Sequence, residues 1–397
     1  MRDICLITEE LAPVKYGGIG EWSRAIATEL SLIPGNRVTV FLKKHPQLRT
    51  YVKTTTLSYP IVSMTGWKWT KYRKYYIYFH IKKFVRQHPG AIIIATKWSL
   101  AEKLSTLKSK YNCHLFTIAH GKEVTRLYHS SDKRRLKMEQ TYQASDGVIA
   151  VSEFTKNHIL ALCKNPLPNL TVLNNGADIR QLKPLEPPAV ARLRLRYAIN
   201  DSTFVLITLA RVIPRKGHDI VIEAISRIIE KHPDILYLIV GNGSEKWIGH
   251  LKTLTADKNL SNHVRFLGPV NNDERTGLLN LSDCFIMVCH AKQDVGDSEG
   301  FGISFLEANA CQIPVIGSDT GGVPEAIAHN QSGLLVPPDD INATAAVIEK
   351  LLCNPQYRKN LGLYGRLRVE NEFAWPIIAK RLWQIIVSTS ALPETSE

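Results

Sequence analysis

The 397-residue sequence predicts an α/β protein made of two parallel-sheet domains that face each other across a cleft. Three observations carry the prediction. Short β-branched apolar runs alternate along the whole chain with amphipathic stretches of helical length, as β-α-β units require. A proline cluster, Lys183-Pro184-Leu185-Glu186-Pro187-Pro188, breaks this pattern near the middle, where neither a helix nor a central strand can continue. Each half then holds enough candidate strands for a sheet and core of its own, at about 100 to 200 residues per domain.

In the first half, strands are expected at 4–8, 37–42, 91–96, 115–119, 147–151 and 171–174. In the second they are expected at 204–210, 235–240, 264–267, 284–288, 314–317 and 333–336. The domains are accordingly drawn as 1–183 and 184–373, with a helix at 374–390 that follows an already complete second domain and is expected to pack back on the first.

Composition excludes several classes. With 22% charged and 44% apolar residues, 24 Gly and 20 Pro, the chain is not collagenous, of low complexity or a disulfide scaffold. Its seven cysteines form no C-x-x-C pair and sit mostly in apolar runs such as Cys284-Phe285-Ile286-Met287-Val288-Cys289, so they read as reduced core thiols of a cytoplasmic protein. No apolar run approaches the roughly 18 residues of a membrane span, and Glu9-Glu10 follows Ile4-Cys5-Leu6-Ile7 too closely for a signal peptide.

The net charge of +14 is concentrated. Between Leu30 and Ala101 there is no Asp or Glu, while Arg37, Lys43, Lys44, Arg49, Lys53, Lys68, Lys71, Arg73, Lys74, Lys82, Lys83, Arg86 and Lys97 supply 13 positive charges. Such a block implies an anionic partner or a solvated basic face. Within it, residues 67–86 interleave Trp, Tyr and Phe with Lys and Arg, a composition suited to an anionic membrane surface. Strand propensity in 75–81 supports the competing reading, in which these aromatics are core. An anionic soluble acceptor also suits the charge. No nucleic-acid-binding signature accompanies it.

Four patterns carry chemistry. Tyr16-Gly17-Gly18-Ile19-Gly20-Glu21-Trp22 follows the first strand and opens a helix, where glycines let backbone N–H groups approach a phosphate. His120-Gly121-Lys122-Glu123 follows an apolar strand, at the end of the sheet where open α/β folds bind ligands. In Ala210-Arg211-Val212-Ile213-Pro214-Arg215-Lys216-Gly217, Arg211 and Lys216 can offer a planar fork and a point charge to one diphosphate. The turn Gly241-Asn242-Gly243-Ser244 follows the next strand. In Glu299-Gly300-Phe301-Gly302-Ile303-Ser304-Phe305-Leu306-Glu307, the two glutamates are too far apart to act on one bond, but can grip opposite ends of an extended ligand whose phosphates meet the helix N-terminus.

As a set these patterns resemble family 4 retaining glycosyltransferases of the GT-B fold, two Rossmann-like domains, and the combination of His120-Gly121-x-Glu123 with Arg211 to Gly217 is similar to phosphatidylinositol mannosyltransferases. Val151 to Thr155, Asn175 to Asp178 and Gly321 to Glu325 also look like family landmarks. The resemblance implies an acceptor-side N-terminal domain and a C-terminal domain for the nucleotide sugar. It implies catalytic roles for His120, Arg211, Lys216 and Glu299, and donor binding by Gly18, Gly20, Gly241, Gly302, Ile303, Ser304 and Glu307. It further implies transfer of a hexosyl group from GDP-mannose or a UDP-hexose to a glycan or lipid-linked acceptor of envelope polysaccharide, lipopolysaccharide or glycolipid synthesis. Front-face retention of configuration belongs to the same implication, with Glu299 on the sugar and Glu307 on the ribose. No metal or other cofactor is expected, because Arg211, Lys216 and the helix N-terminus supply counter-charge and Asp294 and Asp297 are spaced one residue too far apart for a D-x-D pair. The expected location is the cytoplasm, peripheral on the inner face of the membrane if the basic block docks there. The alternatives are a nucleotide-sugar 2-epimerase on the same fold and a non-catalytic protein that binds anionic surfaces.

Overall fold

The computed structural model describes residues 1–15, 17–54, 56–65, 72–291 and 298–390. Strands β1 (Arg2–Thr8), β2 (Asn36–Lys43), β3 (Ile61–Met64), β4 (Ile92–Ala95), β5 (His114–Ala119), β6 (Gly147–Ala150) and β7 (Leu170–Val172) pair in the order β3-β2-β1-β4-β5-β6-β7. Every pairing is parallel. Strands β8 (Phe204–Leu209), β9 (Ile235–Val240), β10 (Val264–Gly268), β11 (Cys284–Met287), β12 (Val315–Ser318) and β13 (Gly333–Val336) form a second parallel sheet, β10-β9-β8-β11-β12-β13. Both orders step outward from the first strand and then reverse, the doubly wound Rossmann topology. The reversal falls between β1 and β4 in one sheet and between β8 and β11 in the other.

The central strands are apolar throughout because helices cover both faces of a parallel sheet. All six residues of β9 are buried, as are all four of β4, β6 and β11. In the second unit, helix His218–Ile228 lays Ile220, Val221, Ile222, Ala224, Ile225 and Ile228 into the core, a spacing that follows the helical period. Helix Ile341–Cys353 packs beside it.

The chain divides into one unit of residues 1–175 and 375–397 and another of residues 176–374. This moves the expected 183/184 boundary. Residues 176–183 are bonded into the second unit: the Ala177 N–H donates to the Phe373 carbonyl at 2.9 Å, and Arg366 Nη1 donates to the Leu182 carbonyl at 2.8 Å. The prolines at 187 and 188 begin helix Pro187–Arg196, where a missing N–H costs nothing. Helix Trp375–Thr389 belongs to the first unit, packing on helix Gly18–Leu32, with the Arg2 guanidinium 5.1 Å from the Trp383 ring.

Two further differences concern the basic block. Strand β3 was not expected. Residues 75–81 lie in helix Arg73–Gln87, which buries Ile77, Ile81, Phe84 and Val85 and exposes Tyr75, Tyr76 and Phe79. Tyr75, Tyr76 and Phe79 are therefore not core, whereas Phe84 is: the apolar residues at helical spacing take the buried side and outweigh local strand propensity. Residues 67–71, including Trp67, Lys68, Trp69 and Lys71, lie outside the described residues. Among the described residues no helix is long and apolar enough to cross a membrane. All seven cysteines are free thiols.

Candidate functional site

Open parallel sheets bind ligands beyond the carboxyl ends of their strands, where the strand order reverses. In the second unit that place lies between β8 and β11. The loop leaving β8 tightens into a 3-10 turn, Pro214–Lys216, and ends at Gly217 with φ 64°. A Cβ at Gly217 would come 1.8 Å from the Val288 carbonyl oxygen, so only glycine lets this loop rest on the exit of β11. Gly241, at the end of β9, is equally constrained: a Cβ there would lie 1.9 Å from the Ala210 carbonyl oxygen.

The loop brings two cations inward. Arg215 and Lys216 are only 8% and 7% exposed. Lys216 Nζ donates to Glu299 Oε2 at 2.9 Å and lies 3.1 Å from Met287 Sδ, and Arg215 Nη1 donates to the same Glu299 oxygen. Burial alone would push the Glu299 carboxyl up, but Lys216 and Arg215 hold it down at about 2, so it is an anion. Its backbone is fixed as well, because the Gly322 N–H donates to the Glu299 carbonyl at 2.9 Å.

Gly302, at φ 97°, begins helix Ile303–Ala310, and Ile303 and Ser304 stand half-buried in its first turn. Glu307 on this helix is 7% exposed and accepts from Arg275 Nη1 at 2.9 Å. Arg275 is carried by helix Asn272–Leu281, whose start is closed by a capping box between Asn271 and Glu274. Glu299 and Glu307 thus have separate cationic partners.

Arg211 stands at the end of the same β8, but its side chain is exposed and makes no hydrogen bond or ion pair among the described residues. Next to the loop, His290 bridges two carboxylates: Nε2 lies 3.1 Å from Asp219 Oδ1, and Nδ1 meets Asp339. Carboxylates only accept, so both ring nitrogens donate; hydrogen bonding to Asp219 leads the causes that raise the His290 pKa. The His290 N–H donates to the Arg215 carbonyl at 3.2 Å, tying the exit of β11 to the cation loop.

The first unit gathers its groups at the ends of β1, β4 and β5. Gly18 is the exposed first residue of helix Gly18–Leu32, and Gly20 accepts from the Ala12 N–H at 3.1 Å. One turn on, Trp22 meets the His120 ring edge-to-face at 5.3 Å. Desolvation first, then the charge of Lys97, push the His120 pKa down to about 3, so the ring is neutral. The His120 N–H donates to Glu123 Oε1 at 2.6 Å, which explains the spacing of this pair. Burial would raise Glu9, but Lys97 at 2.9 Å and Arg73 at 3.0 Å keep it below the usual carboxylate range.

The sequence-derived residues therefore fall into two groups. Lys216 and Glu299 meet directly, and Gly302, Ile303, Ser304 and Glu307 lie at and along the helix that Glu299 precedes; Gly18, Gly20 and His120 belong to the first unit, where Trp22 of the Gly18–Leu32 helix meets the His120 ring. Tyr16, Asp294 and Asp297 lie outside the described residues. Sequence reasoning missed Arg215, Arg275, His290 and the Glu9 cluster. Arg215 stood inside the quoted loop beside Lys216, and its inward turn was not legible from composition. Arg275 and His290 reach their partners across 32 and 71 residues of chain, which no local pattern encodes.

Comparison with known proteins adds independent findings. A family model described as "Glycosyltransferase Family 4" matches residues 16–181, and one described as "Glycosyl transferases group 1" matches residues 191–368. The chain is 34% identical over 221 residues to a GDP-mannose-dependent monoacylated alpha-(1-6)-phosphatidylinositol monomannoside mannosyltransferase of Corynebacterium glutamicum, covering 56% of this chain and 57% of that protein. It is also 34% identical over 238 residues to the GDP-mannose-dependent alpha-(1-6)-phosphatidylinositol monomannoside mannosyltransferase of Mycobacterium tuberculosis, covering 60% of each. The match thus spans less than two thirds of the length of these curated relatives. Among solved structures, Anabaena HepE in complex with UDP and glucose superposes with a TM-score of 0.80 at 18% identity, covering 98% of this chain and 100% of that one.

Proposed function

The chain belongs to the family 4 glycosyltransferases of the GT-B fold, and on that premise we propose that it transfers a hexosyl group from a nucleotide-diphosphate sugar, with retention of configuration, to a glycan or lipid-linked acceptor. The observation that carries this reading is the convergence of Arg215 and Lys216 on Glu299 at the β8/β11 reversal, beside the start of helix Ile303–Ala310. Departure of a nucleoside diphosphate builds negative charge on phosphate while the sugar becomes cationic. Lys216, Arg211 and the helix N-terminus suit the first, and an ionised Glu299 suits the sugar hydroxyls. Protein-borne charge of this kind does the work a metal would do, so the proposed reaction is metal-independent. A neutral His120 can take or give a hydrogen bond to a donor or acceptor hydroxyl, and Glu307 is suited to the ribose.

The likeness to GDP-mannose-dependent relatives supports GDP-mannose as donor and a glycolipid as acceptor. The basic helix supports a membrane-proximal acceptor. Tyr72, Tyr76, Phe79, Lys83 and Arg86 recur at alternating steps of four and three residues and are all exposed, a stripe with aromatic residues at one end and charge at the other. Arg73 and Lys74 hold Glu9 and Glu102, so Lys83 and Arg86 are the better candidates to meet anionic headgroups. The place of action proposed is the cytoplasmic membrane face.

The test is a thermal-shift panel with UDP, GDP, ADP and their sugars, in which a nucleotide at 100 times its dissociation constant adds about 2.7 kcal/mol. The stabilising donor is then offered with lipid acceptors, with and without EDTA, and the product anomer is read by NMR. Transfer that survives EDTA and retains configuration is expected. Absence of nucleotide binding, loss of activity that Mg²⁺ restores, or an inverted product would each overturn the corresponding part.

A further inference from the structure

Lys216 and Arg215 both donate to Oε2 of Glu299, whereas Oε1 takes no hydrogen bond among the described residues. The two cations are not equivalent. A guanidinium is a rigid planar fork that suits carboxylate and phosphate alike, while an ammonium is a compact point charge on a flexible stem with three rotatable donors, the easier of the two to pass from one anion to another. A diphosphate arriving at the loop carries more charge than Glu299 and competes for Lys216.

We propose that Arg215 is the positioning residue for Glu299: it keeps the Oε2 edge occupied while Lys216 exchanges from the carboxylate to the donor phosphate, leaving Oε1 directed at a sugar hydroxyl. This rests on the reading of the site as a nucleotide-sugar pocket. Both ends of the contact are built on fixed backbone. The Arg215 carbonyl accepts from the His290 N–H at 3.2 Å, the Lys216 and Gly217 N–H groups donate within the turn at 3.0 Å, and the Glu299 carbonyl accepts from Gly322 at 2.9 Å. Among the described residues the charged groups facing Glu299 are Arg215 and Lys216; the turn at 320–322 brings none, and Glu307 on the helix Ile303–Ala310 is engaged by Arg275. With Lys216 on phosphate and Arg215 absent, burial would prevail and Glu299 would take up a proton, becoming a donor where an acceptor is needed.

The experiment measures kcat and KM against pH for the full chain with its active sugar donor, and binding of GDP and UDP alone by calorimetry, for wild type, Arg215→Gln and Arg215→Lys. Arg215→Gln should lower kcat on the order of tenfold or more and move the acid limb of the kcat profile up by about one pH unit or more, with nucleotide binding unchanged. Arg215→Lys keeps the charge and should return the acid limb toward its wild-type position; it also stands as the test if the glutamine variant does not fold. A kcat loss uniform across pH, an acid limb that moves as far in Arg215→Lys as in Arg215→Gln, or an unchanged Arg215→Gln would overturn the proposal while leaving the donor pocket standing. A wild type that neither binds nucleotide nor transfers sugar would instead overturn the pocket, and this proposal with it.

Discussion

Replacing Glu307 tests two roles that one side chain combines. Glu307 and Arg275 form an ion pair at 2.9 Å with side-chain exposures of 9% and 10%, so neither has much water to fall back on. Glu307→Ala takes the carboxylate away from Arg275 Nη1, and removing one partner of such a buried pair costs about 3–5 kcal/mol of stability. Replacing both by apolar residues of similar volume, Arg275→Met with Glu307→Leu, removes both charges and should recover most of that loss. Ribose recognition behaves differently. A hydrogen bond to a charged group contributes about 1.5–3 kcal/mol, or about ten- to hundredfold in Kd, and both the single and the double variant lose it. Urea unfolding followed by circular dichroism, with GDP calorimetry on the same samples, separates the two. Stability should return in the double variant and affinity should not. A double variant that binds GDP like wild type would refute the ribose assignment, and an Ala variant that unfolds at the wild-type urea midpoint would refute the buried pair.

Lys216→Ala and Arg211→Ala should each lower turnover on the order of a hundredfold or more with the fold intact, and near-normal turnover in either folded variant would withdraw its role at the diphosphate. His218 is fully buried, and desolvation followed by the Lys216 charge lowers its pKa from 6.5 to about 4. The unfolded chain therefore binds a proton that the folded chain refuses, so stability falls as pH drops from about 6.5 to about 4, by up to about 1.4 kcal/mol per pH unit from this group. His218→Leu should flatten that part of the unfolding profile, and an unchanged slope would contradict the assignment. Co-sedimentation with anionic vesicles should weaken with salt and in Lys83→Gln/Arg86→Gln or Phe79→Ser, at about 1 kcal/mol per charge; equal recovery with neutral vesicles would remove the membrane.

The sheets were legible because burial writes itself into a strand. Runs such as Ile235–Val240, apolar at every position, have no other soluble home, and twelve of the strands stand where the apolar runs predict them. Strand β3 escaped because it is four residues long, at the edge of its sheet, with Ser63 exposed in the middle. Helix Arg73–Gln87 escaped because Tyr, Ile and Phe favour strands locally, and only their placement at 77, 81, 84 and 85 reveals the helical side that is buried. In the site, motif spacing identified Lys216 and Glu299, but which cation turns toward the carboxylate depends on a turn whose geometry Val288, 71 residues away, constrains through Gly217.

The return of helix Trp375–Thr389 to the first unit has a consequence for biosynthesis. Helix Gly18–Leu32 leaves the ribosome well before its partner, which lies beyond the 199 residues of the second unit. At about 5–20 residues per second, that interval is roughly 10–40 s. Throughout it the nascent first unit must keep an unpaired apolar surface in the cell, whereas the second, continuous in sequence, can close as soon as it is made. A released chain ending just before Trp375 would carry one finished domain and one still open to chaperones.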